Sequence, residues 1–114
     1  MGSKKDELIQ KYTAHLREKL QVEPDTDLLE KVTHALGPAI YNRDAATVSS
    51  SSASELETVK QNFLIKKLGL EDSPLLMDTV LKIMEKYGTS ERTKYRAVVY
   101  YMLVNAFNKR EIYD

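Results

Sequence analysis

Apolar residues recur every three or four positions along most of this chain, and sustained apolar–polar alternation occurs nowhere, so the dominant period is that of the α-helix. Leu8, Ile9, Tyr12, Leu16 and Leu20 fall on one face of a first predicted helix, with Ser3 placed to cap it and Asp6 at the matching capping-box position. Glu23-Pro24-Asp25 interrupts the pattern. A second helix follows with Leu28, Leu29, Val32, Ala35 and Leu36 on one side, Asp27 and Glu30 as its expected cap pair, and Gly37-Pro38 as its stop. Ala39 to Tyr41 reads as a short helical turn, and residues 42–54, with a turn at Asn42 to Asp44 and serines at 49 to 52, as a surface loop.

A third helix is expected from Glu55 to Leu68, capped by Ser52 or Ser54, with Leu56, Val59 and Phe63 as its core stripe and Leu64 and Leu68 widening it. Gly69 stops it, and Leu70 is placed for the apolar contact of a Schellman cap. Pro74 opens a fourth helix behind Asp72 or Ser73, whose inner face is Leu76, Met77, Val80, Ile83, Met84 and Tyr87. Gly88 ends it. The fifth and longest helix is predicted from Thr89 or Ser90 to about Phe107. Tyr95, Val98, Val99, Met102, Leu103 and Ala106 lie on one face and Ala97, Tyr100, Tyr101 and Val104 on the other. A helix apolar on both sides is surrounded by other helices or used in an interface. Its Tyr100, Tyr101 and Val104 side therefore either completes the core or joins two subunits. The tail, residues 108–114, is expected to fray in part, with Ile112 and Tyr113 as its docking residues. The fold class that results is all-α: a compact bundle of about five amphipathic helices around a long, largely buried C-terminal helix.

Length changes this picture little: 114 residues suffice for one core, so residues 1–114 read as a single domain. Charge changes it more. Seventeen Lys and Arg balance seventeen Asp and Glu, whereas a non-specific nucleic-acid binder carries a clear positive excess. The chain has no cysteine, which removes disulfides, thiol nucleophiles and cysteine-ligated zinc. No apolar run is long enough to cross a bilayer, and no apolar segment follows Lys4 and Lys5, so neither a membrane nor a secretory signal is expected and the expected location is the cytoplasm.

Candidate chemistry is sparse. His15 and His34 stand on different helices, His15 at the margin of an apolar stripe and His34 away from one, with no partner motif for a metal. Asp25, Asp27 and Glu30 cluster at a helix start, where capping and the helix dipole already account for them; the glycine and closing glutamate of a calcium loop are missing. No phosphate-binding glycine loop, nucleophile elbow or His-Glu-x-x-His is present, and the serines at 49 to 52 have no general base beside them. Neither a cofactor nor a metal is expected. One segment stands out. Residues 74–107 resemble a helix-turn-helix in outline, with Ser90, Arg92, Lys94 and Arg96 at the start of the second helix as a candidate anion or nucleic-acid site. Against it stand the zero net charge and the apolar character of that helix from Ala97 onward. Tyr95, Tyr100 and Tyr101 beside basic residues could stack nucleotide bases, but on a helix they point in different directions, as core tyrosines do.

The segments Lys4-Lys-Asp-Glu-Leu8, Leu36-Gly-Pro-Ala-Ile-Tyr-Asn42, Asn62-Phe-Leu-Ile-Lys-Lys-Leu-Gly-Leu70, Glu85-Lys-Tyr-Gly88 and Lys94-Tyr-Arg-Ala-Val-Val-Tyr-Tyr101 resemble, in the same order and over nearly the whole chain, a small family of uncharacterised bacterial proteins known only as a domain of unknown function. The resemblance implies a bacterial, compact, helical protein and no activity. The leading expectation is a non-enzymatic interaction module that meets a protein partner or a second copy of itself, through Tyr100, Tyr101 and Val104 if that side is not core. Nucleic-acid or anion binding at the basic segment is the alternative, and an enzyme without a recognisable motif ranks third.

Overall fold

Six α-helices account for most of the computed structural model, which describes residues 4–88, 91 and 93–113, apart from the side chain of Arg43. They are α1 (Lys4–Glu18), α2 (Thr26–Leu36), the single turn α3 (Arg43–Ala46), α4 (Ala53–Thr58), α5 (Pro74–Tyr87) and α6 (Arg96–Ala106). Helix α4 continues directly into a π-helical segment, Val59–Lys67, and 3-10 turns occupy Gly37–Tyr41 and Arg110–Tyr113. Among the described residues there is no strand; Thr47 and Tyr95 form one isolated antiparallel bridge. The radius of gyration is 13.2 Å, that of a compact chain of this length, about 13 Å by the usual scaling.

Local chemistry explains most boundaries. Asp25 caps α2, its carboxylate accepting from the amides of Asp27 and Leu28. That corrects the expected cap pair Asp27 and Glu30: the cap falls two residues earlier, where Asp25 is extended and its carboxylate reaches both amides. Asn42 does the same for α3, accepting from Asp44 and Ala45, so the segment expected to be only a turn winds into a short helix. Ser52 caps α4 through the amide of Glu55.

The π segment was not legible as such. Its turns close five residues back, as in Leu68 N–H to Phe63 C=O at 2.9 Å, and the end closes wider still, Leu70 N–H to Leu64 C=O at 3.1 Å, around Gly69 at φ 72°. The apolar spacing shows why the wide turn is tolerated. Val59, then Phe63 and Leu64, then Leu68 are all buried, a repeat between four and five residues, where an α-helix repeats at 3.6.

Helix α6 departs furthest from expectation. It begins at Arg96, not at Thr89 or Ser90, and α1 and α5 are longer. The reason is tertiary. The Lys94 carbonyl accepts from Val48 N–H at 2.8 Å, and the Tyr95 N–H donates to the Tyr87 hydroxyl. Those partners take backbone groups that a first helical turn would use. What remains of the prediction holds: α6 lies at the centre, against α1, α2 and α5, and Val99 and Val104, on opposite sides of it, are both fully buried.

Candidate functional site

Of the residues singled out at the basic segment, the two that are described, Lys94 and Arg96, are turned into the protein. Ser90 and Arg92 lie outside the described residues. Lys94 is buried, its ammonium donating to the Glu91 carbonyl. Arg96 turns inward. Its Nε donates to the Ala45 carbonyl at 2.7 Å, one Nη to the Tyr100 hydroxyl at 3.1 Å, and the other to the Thr47 carbonyl at 3.2 Å and to the Glu55 carboxylate, with which it forms an ion pair. The guanidinium thus stitches α3, α4 and α6 together. The helix-turn-helix outline fails on length as well: Gly88 to Tyr95 separates α5 from α6, well beyond the three- or four-residue turn of that motif.

Tyr100, Tyr101 and Val104 are buried within the chain, so this side of α6 completes the core, the first of its two expected uses. Tyr100 stacks on Phe63 of the π segment with ring centroids 3.8 Å apart and 14° between planes. The Tyr101 hydroxyl accepts the Asp25 N–H at 2.7 Å, which ties α6 to the start of α2.

The histidines separate as expected. His15 packs against Tyr87 and Tyr95, and its Nδ1 lies 2.5 Å from the Tyr87 hydroxyl. Burial lowers its pKa below the usual imidazole value, and the nearby Glu91 carboxylate opposes that effect. Burial pushes the Tyr87 phenol far up, so it is not a source of phenolate at neutral pH. His34 is exposed and accepts from the Lys5 ammonium at 3.2 Å. Among the described residues no group of three or more His, Cys, Asp or Glu could hold a metal ion, and no helix is long and apolar enough to cross a membrane.

A concavity lies elsewhere, along the outer side of α2. A groove of about 490 Å³ runs between α2, Lys5 of α1 and the C-terminal 3-10 turn. Ile112, Tyr113 and Ala35 give it apolar surface, and Asp27, Glu30, Lys31 and His34 give it charge. Ala35 and Tyr113 also line an adjoining cavity of about 180 Å³ that reaches Phe63, Lys67 and Tyr100. The tail forms one wall because it is tied down twice. Arg110 pairs with Asp25, the α2 cap, and holds that carboxyl below the usual range. The Lys67 ammonium sits 5.3 Å from the centre of the Tyr113 ring, and burial pushes the Tyr113 phenol up to about 12. The sequence signalled the docking of Ile112 and Tyr113 as apolar residues in a polar tail; it carried no signal that Lys5 and His34 would meet across the rim.

Chemically the groove offers apolar contact and hydrogen bonds. Its carboxylates are surface groups on α2, Lys31 pairs with Asp27 at 3.2 Å, and no hydroxyl or imidazole in it is set beside a base that would activate it. No curated protein matches the chain. A family model does, over residues 11–111, and the chain belongs to that family, described as "Protein of unknown function (DUF2853)".

Proposed function

We propose that this protein is a non-enzymatic interaction module of the bacterial cytoplasm, and that the α2 groove receives a protein partner, either a second copy of the chain or a different polypeptide. The observation that carries the reading is the make-up of the groove: apolar side chains at Ala35, Ile112 and Tyr113 inside a rim bearing both signs of charge. That is the anatomy of a protein-binding site, an apolar centre with a polar edge. The site proposed from sequence, Tyr100, Tyr101 and Val104, is buried in the monomer, so the exposed groove replaces it as the contact surface.

Ala35 is exposed and sits where the two cavities join, so Ala35→Arg fills the groove without disturbing the core. Sedimentation equilibrium on the isolated chain, and capture of partners from the native cell, are each run on both proteins. Association that Ala35→Arg abolishes, at an unchanged melting temperature, supports the reading. Association that survives the substitution overturns it.

Nucleic-acid binding has less in its favour. The formal charge is zero, Arg96 faces Glu55, and Lys94 is buried. At physiological salt, binding to random duplex DNA should be no tighter than about 10⁻⁵ M, as an anisotropy titration would measure.

A further inference from the structure

We propose that a second cavity, between the serine turn after α3 and Lys94, is a binding site for a phosphate group. It has a volume of about 320 Å³, shares no residue with the α2 groove, and is lined by Thr47, Ser49, Ser50, Ser51, Glu91 and Lys94. Three observations converge on an anion.

The first is Lys94 itself. It is 2% exposed, yet among the described residues its ammonium meets a single acceptor, the neutral Glu91 carbonyl, and no carboxylate within ion-pair distance. An ammonium has three donors, and a buried charge without a counter-charge is costly. Among the described residues, two of its three donors thus meet no acceptor.

The second is the opposite wall. The Ser49 and Ser51 hydroxyls lie 3.3 Å apart and share one hydrogen bond. Two hydroxyls sharing one bond leave one proton to donate elsewhere. Ser50 stands between them on the same wall.

The third is that the carboxylate in the lining is already engaged. Glu91 Oε2 pairs with Lys19 at 3.0 Å, Oε1 accepts the Thr93 N–H at 3.1 Å, and its pKa is held below the usual value by these contacts. Both walls are fixed to one another by the Val48–Lys94 backbone bond and the Thr47–Tyr95 bridge. The cavity thus presents hydroxyl and ammonium donors on a rigid frame, with its one carboxylate already paired to Lys19, and a phosphate group, rich in acceptors, is its complement. Free inorganic phosphate and a small phosphomonoester share that chemistry.

The test titrates the ¹⁵N-labelled protein with inorganic phosphate and, separately, with glycerol 3-phosphate, against sodium chloride at matched ionic strength. Saturable shifts of the Ser49, Ser50, Ser51 and Lys94 amides are expected, and the tighter of the two ligands tells free phosphate from phosphomonoester. Lys94→Met keeps the length of the side chain and removes the charge; affinity should fall by about tenfold or more, the scale of one charge-assisted contact. Should Lys94→Met fail to fold, the exposed pair Ser49→Ala/Ser51→Ala is the substitute and should also weaken binding. Shifts that never saturate, or an affinity unchanged in the folded variant, overturn the proposal.

Discussion

His15 of α1 and Tyr87 at the end of α5 meet with Nδ1 and the hydroxyl oxygen 2.5 Å apart. The same oxygen accepts the backbone N–H of Tyr95 at 3.3 Å; in the tautomer with Nδ1 unprotonated, its own proton is directed at the imidazole. This chain of two bonds joins α1, α5 and the residue that opens α6. With the hydroxyl as donor it requires a neutral His15, because a protonated ring has no acceptor to offer.

That requirement has a pH signature. The folded-state pKa of His15 is lowered, chiefly by burial, with Glu91 and Glu18 pulling it up and Lys19 pushing it down. The folded protein therefore takes up the His15 proton less readily than the unfolded chain, and the bound-proton difference makes stability rise with pH. The contribution is complete above the unfolded value of about 6.5 and is lost as pH falls below it. Urea unfolding at pH 7.5 and pH 5.5 should show the wild type losing stability on acidification and His15→Gln losing distinctly less. Equal losses in both would place the effect on other groups.

The His15–Tyr87 contact also marks where sequence reasoning stops. Caps, stops and stripes within a helix are local, and Gly37, Ser52, Gly69, Pro74 and Gly88 all act as boundaries where the sequence places them. The start of α6 is not local: residues 94 and 95 are held extended by Val48, Thr47 and Tyr87, partners that no short window contains. The π turn is illegible in the sequence for the opposite reason. A repeat of four to five residues over one segment fits an α-helix with a widened stripe just as well. Of the α2 groove, the docked Ile112 and Tyr113 could be foreseen, but Arg110 reaching Asp25 could not.

Arg96 provides a second prediction. Its guanidinium is mostly buried and serves two carbonyls, a tyrosine hydroxyl and Glu55. A lysine keeps the charge but cannot fan out to four acceptors. Arg96→Lys should therefore lower stability by about 2–3 kcal/mol, the scale of lost hydrogen bonds to a charged group. Chemical denaturation at pH 7 measures it. A loss below about 0.5 kcal/mol, as for a surface change, would show the network to be dispensable.

The two faces of α6 lead to a third. Val99 and Val104 are both 0% exposed. A charge at either site would be buried without a partner, at a cost of several kcal/mol against a total domain stability of about 5–15 kcal/mol. Val99→Asp and Val104→Asp should each abolish the cooperative melt seen by circular dichroism. A folded Val104→Asp protein with altered mass would instead return that face to an interface.

One substitution made at two tyrosines should move stability in opposite directions. Tyr12 is 0% exposed, and its hydroxyl is buried without a hydrogen-bond partner among the described residues. Burial pushes its phenol up to about 12, with Tyr95 and Tyr41 adding to the effect. The ring is well placed, edge-on to Tyr95 at 5.0 Å, so the aromatic contact survives conversion to phenylalanine while the unsatisfied oxygen disappears. An orphaned buried polar group costs about 1–3 kcal/mol; Tyr12→Phe should recover part of that, about 1 kcal/mol. Tyr87→Phe removes an oxygen of the same type that is fully engaged, leaving Nδ1 of His15 and the Tyr95 N–H without partners, and should cost about 1–3 kcal/mol. Urea midpoints at pH 7.5 decide between these signs, provided the slopes of the two transitions match that of the wild type. If Tyr12→Phe is destabilising by as much as Tyr87→Phe, the Tyr12 hydroxyl is bonded in solution, and the aromatic cluster is a continuous polar network running from α1 to α6 rather than one bonded pair beside an unpaired group.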